Sequence, residues 1–251
     1  MISKNKLKYY SALVRKKDRD IHKKFIVEGL KAIEEGLNSS YSCEIVLVTV
    51  DYENINKEFP RKYNVSIETV NEKDFSMLTD TVTPQGIAAV FNYPETKDVN
   101  NIKSGLIVCL ENIGDPGNLG TIIRNCDWFG VTDVVLSKNS ADPFSPKTVR
   151  ASMGSIFHLN IYDETELTTF LESYKKKSYK VLCADTEGED LYSFQSERNN
   201  IVILASEAHG PSVDILRLSD HRITIPRYGK GESLNVASAS AVILSRLATK
   251  L

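Results

Sequence analysis

Apolar positions along the chain fall into two kinds of run. Some are short and nearly unbroken: CEIVLVTV from Cys43, GIAAVFNY from Gly86, GLIVCLE from Gly105, DVVLSK from Asp133, KVLCAD from Lys180 and NIVILAS from Asn200. Runs of this length, rich in β-branched residues and bounded by polar or glycine-containing segments, predict strands. NVSIETV, HLNIY and ITIP predict three more. Elsewhere the apolar residues recur at steps of three and four. Across 118–130, Leu119, Ile122, Ile123, Cys126 and Phe129 form one stripe, which predicts a helix with Arg124 pointing away from its buried side.

Helices are likewise predicted over 4–19, over the amphipathic stretch ending KAIEEGL, within EKDFSMLTD, over SPKTVRASMG and ETELTTFLESYKKK, and from about 233 to the end. The polar, aperiodic segment NYPETKDVNNIKS, 92–104, predicts a linker. The expected organisation is a small α/β domain over 1–94 and a second α/β domain over 104–251. Strands that are apolar throughout belong in a parallel sheet covered by helices on both faces, and a ligand then sits at their carboxyl ends.

The chain's 251 residues are 41% hydrophobic, enough for sizeable cores. A net charge of −2 argues against binding nucleic acid through overall basicity. The first thirty residues depart from that balance, with nine basic residues against three acidic ones. Within them Lys16, Lys17, Lys23 and Lys24 are candidates for contact with a polyanion; the bland alternative is a solvated basic helix. Four scattered cysteines without a CxxC pair fit a reducing, cytoplasmic setting. No apolar run reaches the roughly 18 residues of a membrane span. No HExxH or Cys/His cluster calls for a metal.

Three loops carry unusual residues. DPGNLGTIIRNCDWFG, 115–130, opens with Asp115 as a cap and Pro116 at the first helical position. Its glycines fit neither GxxxxGK[ST] nor GxGxxG, which removes both standard nucleotide-binding readings. LASEAHGPS follows the strand from Asn200 and holds Glu207 and His209, either an acid/base pair or two surface groups. IPRYGKGESLNVASASAVIL, 225–244, surrounds a helix start with Glu232, Ser233 and Asn235, then runs through small residues from Ala237 to Ala241 that permit close approach of a helix or a ligand.

Together these stretches resemble the three signature motifs of the SpoU/TrmH-type RNA ribose 2′-O-methyltransferases of the SPOUT superfamily, across about 106–247. VRASMGSIF fits the family between them, and KFIVEGLKAIEEGL with QGIAAVF resembles its appended substrate-binding domain. The resemblance implies a parallel sheet with a deep trefoil knot, a homodimer, S-adenosylmethionine as methyl donor and a structured RNA as substrate: ribosomal RNA, since the appended domain resembles that of rRNA-modifying members, with transfer RNA as the alternative. A non-catalytic RNA-binding member of the fold is the alternative from another class.

Matched by position, the resemblance gives Asn118, Arg124, Glu207, Ser233 and Asn235 as the catalytic set. It gives Leu204, Ala205, Ser206, Gly210, Ile225, Leu234, Asn235 and Ala237 as the donor site, and adds Arg150 to the RNA-binding residues. A guanidinium, which keeps its proton at any ordinary pH, is a poor base. For Arg124 the chemistry favours orienting a phosphate and stabilising a developing alkoxide. Three positions depart from the usual motifs: Ala205 for glycine, Pro211 for leucine and Arg227 for methionine.

Overall fold

The computed structural model describes residues 1–55 and 63–248. Two compact units emerge. One comprises Met1–Glu95 with Phe144–Phe157, and the other Thr96–Pro143 with His158–Leu251. The stretch SPKTVRASMGSIF is therefore counted with the first unit, although it lies within the later half of the sequence.

The first unit holds a four-stranded mixed sheet. Its strands are β1 (Lys24–Glu28), β2 (Cys43–Thr49), β3 (Ile67–Val70) and β4 (Ile87–Asn92), in the order β1-β4-β2-β3. β4 is antiparallel to both β1 and β2, while β3 runs parallel to β2. One sheet face packs Phe25, Phe91, Phe144 and Phe157 into an aromatic cluster with centroid separations of 4.9 to 6.1 Å. The Leu30–Leu37 helix comes so close that a Cβ on Gly36 would lie 2.5 Å from Phe91 Cζ and 2.6 Å from Phe157 Cζ.

The basic segment 4–19 is two helices rather than the single one expected, Lys4–Ala12 and Lys16–His22. Leu13 is fully buried at the break, and Arg15 is extended. Arg19, 3% exposed, donates from Nη1 to the carbonyls of Leu13 and Val14 at 2.9 and 2.7 Å. It thus satisfies carbonyls that a continuous helix would have used internally. One of the nine N-terminal cations is consequently a structural group.

The second unit is a six-stranded sheet with every neighbouring pair parallel. Its strands are β5 (Leu106–Glu111), β6 (Asp133–Ser137), β7 (Asn160–Thr165), β8 (Lys180–Asp190), β9 (Asn200–Ala205) and β10 (His221–Thr224), ordered β10-β8-β9-β5-β6-β7. β5 is buried at all six positions, as its unbroken apolar run implies for a central strand covered on both faces. The helices Pro116–Trp128 and Val236–Leu247 pack against each other, and Leu167–Lys175 packs against Val213–Leu218. Val213–Leu218 and a short helix Val50–Ile55 have no counterpart in the periodicity of the sequence. Both are only six residues long, too short to display a repeating stripe. The carboxyl ends of β5, β9 and β10 lead into the loops that carry the three motifs.

Candidate active site

Asp115 starts the first motif as anticipated. Extended at φ −85° and ψ 121°, it accepts the Asn118 N–H at 2.8 Å, with Pro116 inside the first turn. The helix buries Leu119, Ile122, Ile123 and Cys126. Arg124 consequently faces out and is exposed. The last helix begins in the same manner: the Asn235 Oδ1 accepts from the N–H groups of Ala237 and Ser238 at 3.0 and 3.3 Å.

Two further hydrogen bonds join the loops. Asn235 Nδ2 donates to Asn118 Oδ1 at 3.1 Å, linking the first motif to the third. The Val236 N–H donates to the Glu207 carboxylate, linking the second to the third. Three polar side chains from segments far apart in sequence therefore converge at one end of the sheet. Behind them, Asn125 Nδ2 donates to Ala237 O at 2.9 Å and to Ser240 Oγ at 2.8 Å, fixing one helix against the other. Ala237 and Ser240, small and buried, are what let the helices approach this closely.

A cleft of about 580 Å³ opens beside this network, lined by Asn112, Ile113, Gly114, Asp115, Asn118 and Asn139 on one side and by Ser206, Glu207, Ala208, His209 and Val236 on the other. The sequence pattern does not single out Asn112, Asn139 or Glu111. A strand-end acidic residue in an otherwise apolar run, as in GLIVCLE, is the available signal for Glu111.

The remaining expected donor-site residues, and the catalytic candidate Ser233, occupy four settings. Leu204 is 1% exposed, inside the sheet, so only its backbone is within reach of a ligand. Ala205 and Ile225 are half-buried at strand ends, Ala237 is buried in the last helix, and Ser233 and Leu234 are exposed in the loop before it. Gly210 adopts φ +64° and gives its N–H to Ser206 O at 2.8 Å, closing a tight turn. Arg227, where the resembling family has methionine, donates from Nη1 to Gly231 O at 3.0 Å and braces the third loop.

The glycines of these loops test whether the site suits the donor. Gly114, Gly229 and Gly231 have no left-handed φ, and a Cβ on any of them would meet nothing within 4 Å. Neither backbone conformation nor neighbouring atoms require glycine there. Their absent side chains instead leave the backbone open to close approach by another group, which fits an adenosine and amino-acid moiety held largely by main chain.

The expected RNA-binding residues differ among themselves. Lys17 and Lys23 are exposed and make no ion pair among the described residues; Lys23 Nζ lies 5.8 Å from the Tyr93 ring centre. Lys16 faces Asp20 at 3.7 Å. Lys24 is half-buried, pairs with Glu44 and donates to the Tyr9 hydroxyl at 3.2 Å. Burial works to lower its pKa, but the Glu44 and Tyr9 hydrogen bonds outweigh it and raise the value. Arg150 is paired with Asp80 within the first unit.

Among the described residues no group of three or more His, Cys, Asp or Glu could hold a metal, and no helix is long and apolar enough to cross a membrane.

Comparison with known proteins matches residues 105–245 to the SpoU rRNA Methylase family and residues 4–89 to the MRM3-like substrate binding domain. The 23S rRNA (guanosine(2553)-2′-O)-methyltransferase of Bacillus subtilis is 33% identical over 96% of this chain and 95% of its own length. A Porphyromonas gingivalis structure, described as an RNA methyltransferase of the TrmH family, superposes with a TM-score of 0.88 at 32% identity, covering 100% of both chains. The AdoMet-bound rRNA methyltransferase from Sinorhizobium meliloti superposes with a TM-score of 0.86 at 27% identity, over 100% of this chain and 97% of that one.

Proposed function

This chain belongs to the SpoU rRNA Methylase family and is an RNA 2′-O-methyltransferase using S-adenosylmethionine, and from that premise we propose how its residues divide the work on ribosomal RNA. The observation carrying the proposal is the polar network at the cleft, where Asn118, Glu207 and Asn235 are held together by the Asn235–Asn118 and Val236–Glu207 hydrogen bonds.

When bound, the donor supplies an electrophilic methyl on a sulfonium. The donor site comprises the backbone of Leu204, Ala205, Ser206 and Gly210 with Ile225, Leu234, Asn235 and Ala237, beside the open glycines at 229 and 231. Asn235 links that site to the cleft through its hydrogen bond to Asn118, Ser233 lies exposed two residues before it, and Asn118 with Glu207 fixes the cleft wall that receives the ribose.

Arg124, exposed and on the polar side of its helix, orients the neighbouring phosphate and stabilises the negative charge that develops on the 2′-oxygen. Holding the two reactants in line supplies much of the remaining acceleration. Lys16, Lys17 and Lys23 steer the phosphate backbone, whereas Lys24 and Arg150 contribute chiefly through the pairs they make with Glu44 and Asp80. As the family resemblance implies, the carboxyl-terminal segment is threaded as a trefoil knot and the protein works as a homodimer.

Incubation with tritiated S-adenosylmethionine and separate rRNA and tRNA fractions tests this reading. Label is expected in rRNA and, after nuclease digestion, in a 2′-O-methylnucleoside. Label confined to tRNA or to a base would overturn it.

A further inference from the structure

Glu111 is a buried carboxylate that the catalytic reading leaves unused. It ends β5, is 7% exposed, and is the one charged residue in an otherwise apolar strand. A carboxylate is taken out of water at a cost of several kcal/mol unless hydrogen bonds replace its hydration. Glu111 offsets that cost with one carboxylate hydrogen bond to the loop 206–212, and its backbone carbonyl bonds the start of the same loop. Its carbonyl accepts the Ser206 N–H at 3.1 Å, and its Oε2 accepts the Ser212 N–H at 3.0 Å. One residue thus grips both ends of the second motif.

Two further hydrogen bonds fall between those points. Gly210 N–H closes onto Ser206 O at 2.8 Å, and Ser206 Oγ accepts the Ala208 N–H at 3.4 Å. Pro211, where the resembling family has leucine, has its φ set by its ring and gives up no N–H, leaving the Ser212 N–H as the amide presented to the carboxylate. Ser212 in turn caps the Val213–Leu218 helix through the Ile215 N–H at 3.4 Å. Ser206, Glu207, Ala208 and His209 all line the cleft, so whatever holds the loop ends sets where these groups point.

We infer that Glu111 is a positioning residue for the methyl-donor loop: by clamping Ser206 and Ser212 it keeps Ser206, Glu207 and Gly210 in their binding arrangement before S-adenosylmethionine arrives. A loop ordered in advance spares the binding step the entropy of ordering it. The inference rests on the proposed donor site.

Its test compares Glu111→Ala with Glu111→Gln. The glutamine keeps an oxygen that can accept the Ser212 N–H; the alanine keeps only the carbonyl bond. Two readouts are taken on the full chain: affinity for S-adenosylmethionine by calorimetry, and amide hydrogen exchange across 206–213. Glu111→Ala is expected to weaken donor binding tenfold or more and to speed exchange in that segment while the strands β5 and β9 stay protected. Glu111→Gln is expected to restore both to within about threefold. Unchanged affinity and exchange in the alanine variant, or equal loss in both variants with exchange rising throughout the sheet, would overturn the inference. Failure of the unaltered protein to bind the donor would instead overturn the donor site itself.

Discussion

Asn235 Nδ2 donates to Asn118 Oδ1 at 3.1 Å, across a sequence separation of 117, while Asn235 Oδ1 simultaneously caps the last helix. One amide therefore does two jobs with opposite ends, and substitutions can separate them. Asn235→Asp keeps the capping oxygen and loses the donor to Asn118. Asn235→Ala loses both, and the cap alone is worth about 1 kcal/mol. Methyl transfer is expected to fall at least tenfold in each, whereas the denaturant midpoint shifts appreciably only in the alanine variant. Equal stability losses would mean that the bond to Asn118, lost in both variants, outweighs the cap.

Arg124 carries no structural duty that its removal would disturb, since it is exposed and the helix is held by Leu119, Ile122, Ile123 and Cys126. Arg124→Ala is expected to reduce turnover by a factor of a hundred or more, leaving S-adenosylmethionine affinity within a few-fold. Arg124→Lys keeps the charge without the planar fork and is expected to recover part of the rate. Single-turnover assays alongside calorimetry check both.

The N-terminal cations divide by their neighbours. Lys17→Glu with Lys23→Glu is expected to weaken RNA binding and to flatten its dependence on salt, by about 0.7 to 0.9 in logarithmic slope for each phosphate no longer neutralised. Lys24→Glu would place a second carboxylate against Glu44 and is expected to lower the melting temperature instead. Filter binding across salt concentrations and thermal melts distinguish the two effects.

Gly36 has no room for a side chain against Phe91 and Phe157. Gly36→Ala is expected to cost about 1–3 kcal/mol, the usual penalty of overpacking. Urea unfolding followed by far-ultraviolet dichroism measures it, and Phe157→Ala made in the same background tests whether that ring is the obstacle by partly relieving the loss.

Acid should weaken the second unit through Asp220. Burial raises its pKa, but the Val181 N–H and the Lys175 ammonium, each at 2.9 Å, prevail and hold it below the ordinary 3.8. A depressed carboxylate stabilises the fold above its unfolded value and loses that contribution as pH falls through the folded one. The stability difference between the natural chain and Asp220→Asn is expected to be full at about pH 6 and to shrink below about pH 4, as equilibrium unfolding at several pH values would reveal.

Local pattern makes some of this structure legible, and long-range packing hides the rest. GLIVCLE and NIVILAS announce central strands because a strand covered on both faces is apolar along nearly its whole length. The stripe from Leu119 to Phe129 announces its helix and turns Arg124 outward. Nothing local reveals that the 4–19 helix breaks at Leu13, because the break is satisfied by Arg19 folding back on the carbonyls. Nor does local pattern reveal that Phe144–Phe157 joins the first unit, since that follows from rings meeting across more than a hundred residues. Asn118 and Asn235 can be named from motifs, but their hydrogen bond cannot. Glu111 and Asn125 escape a reading of the sequence because their partners, backbone groups at Ser212 and Ala237, leave no mark in it.

Mass-spectrometric mapping of ribosomal RNA, taken from cells lacking this protein and then treated with purified enzyme and S-adenosylmethionine, tests the central claim most directly. The expected result is one nucleotide gaining about 14 mass units, one methyl in place of one hydrogen, on its ribose 2′-oxygen, with no gain when Arg124→Ala replaces the natural enzyme. Methylation on a base, or undiminished ribose methylation by Arg124→Ala, would contradict it.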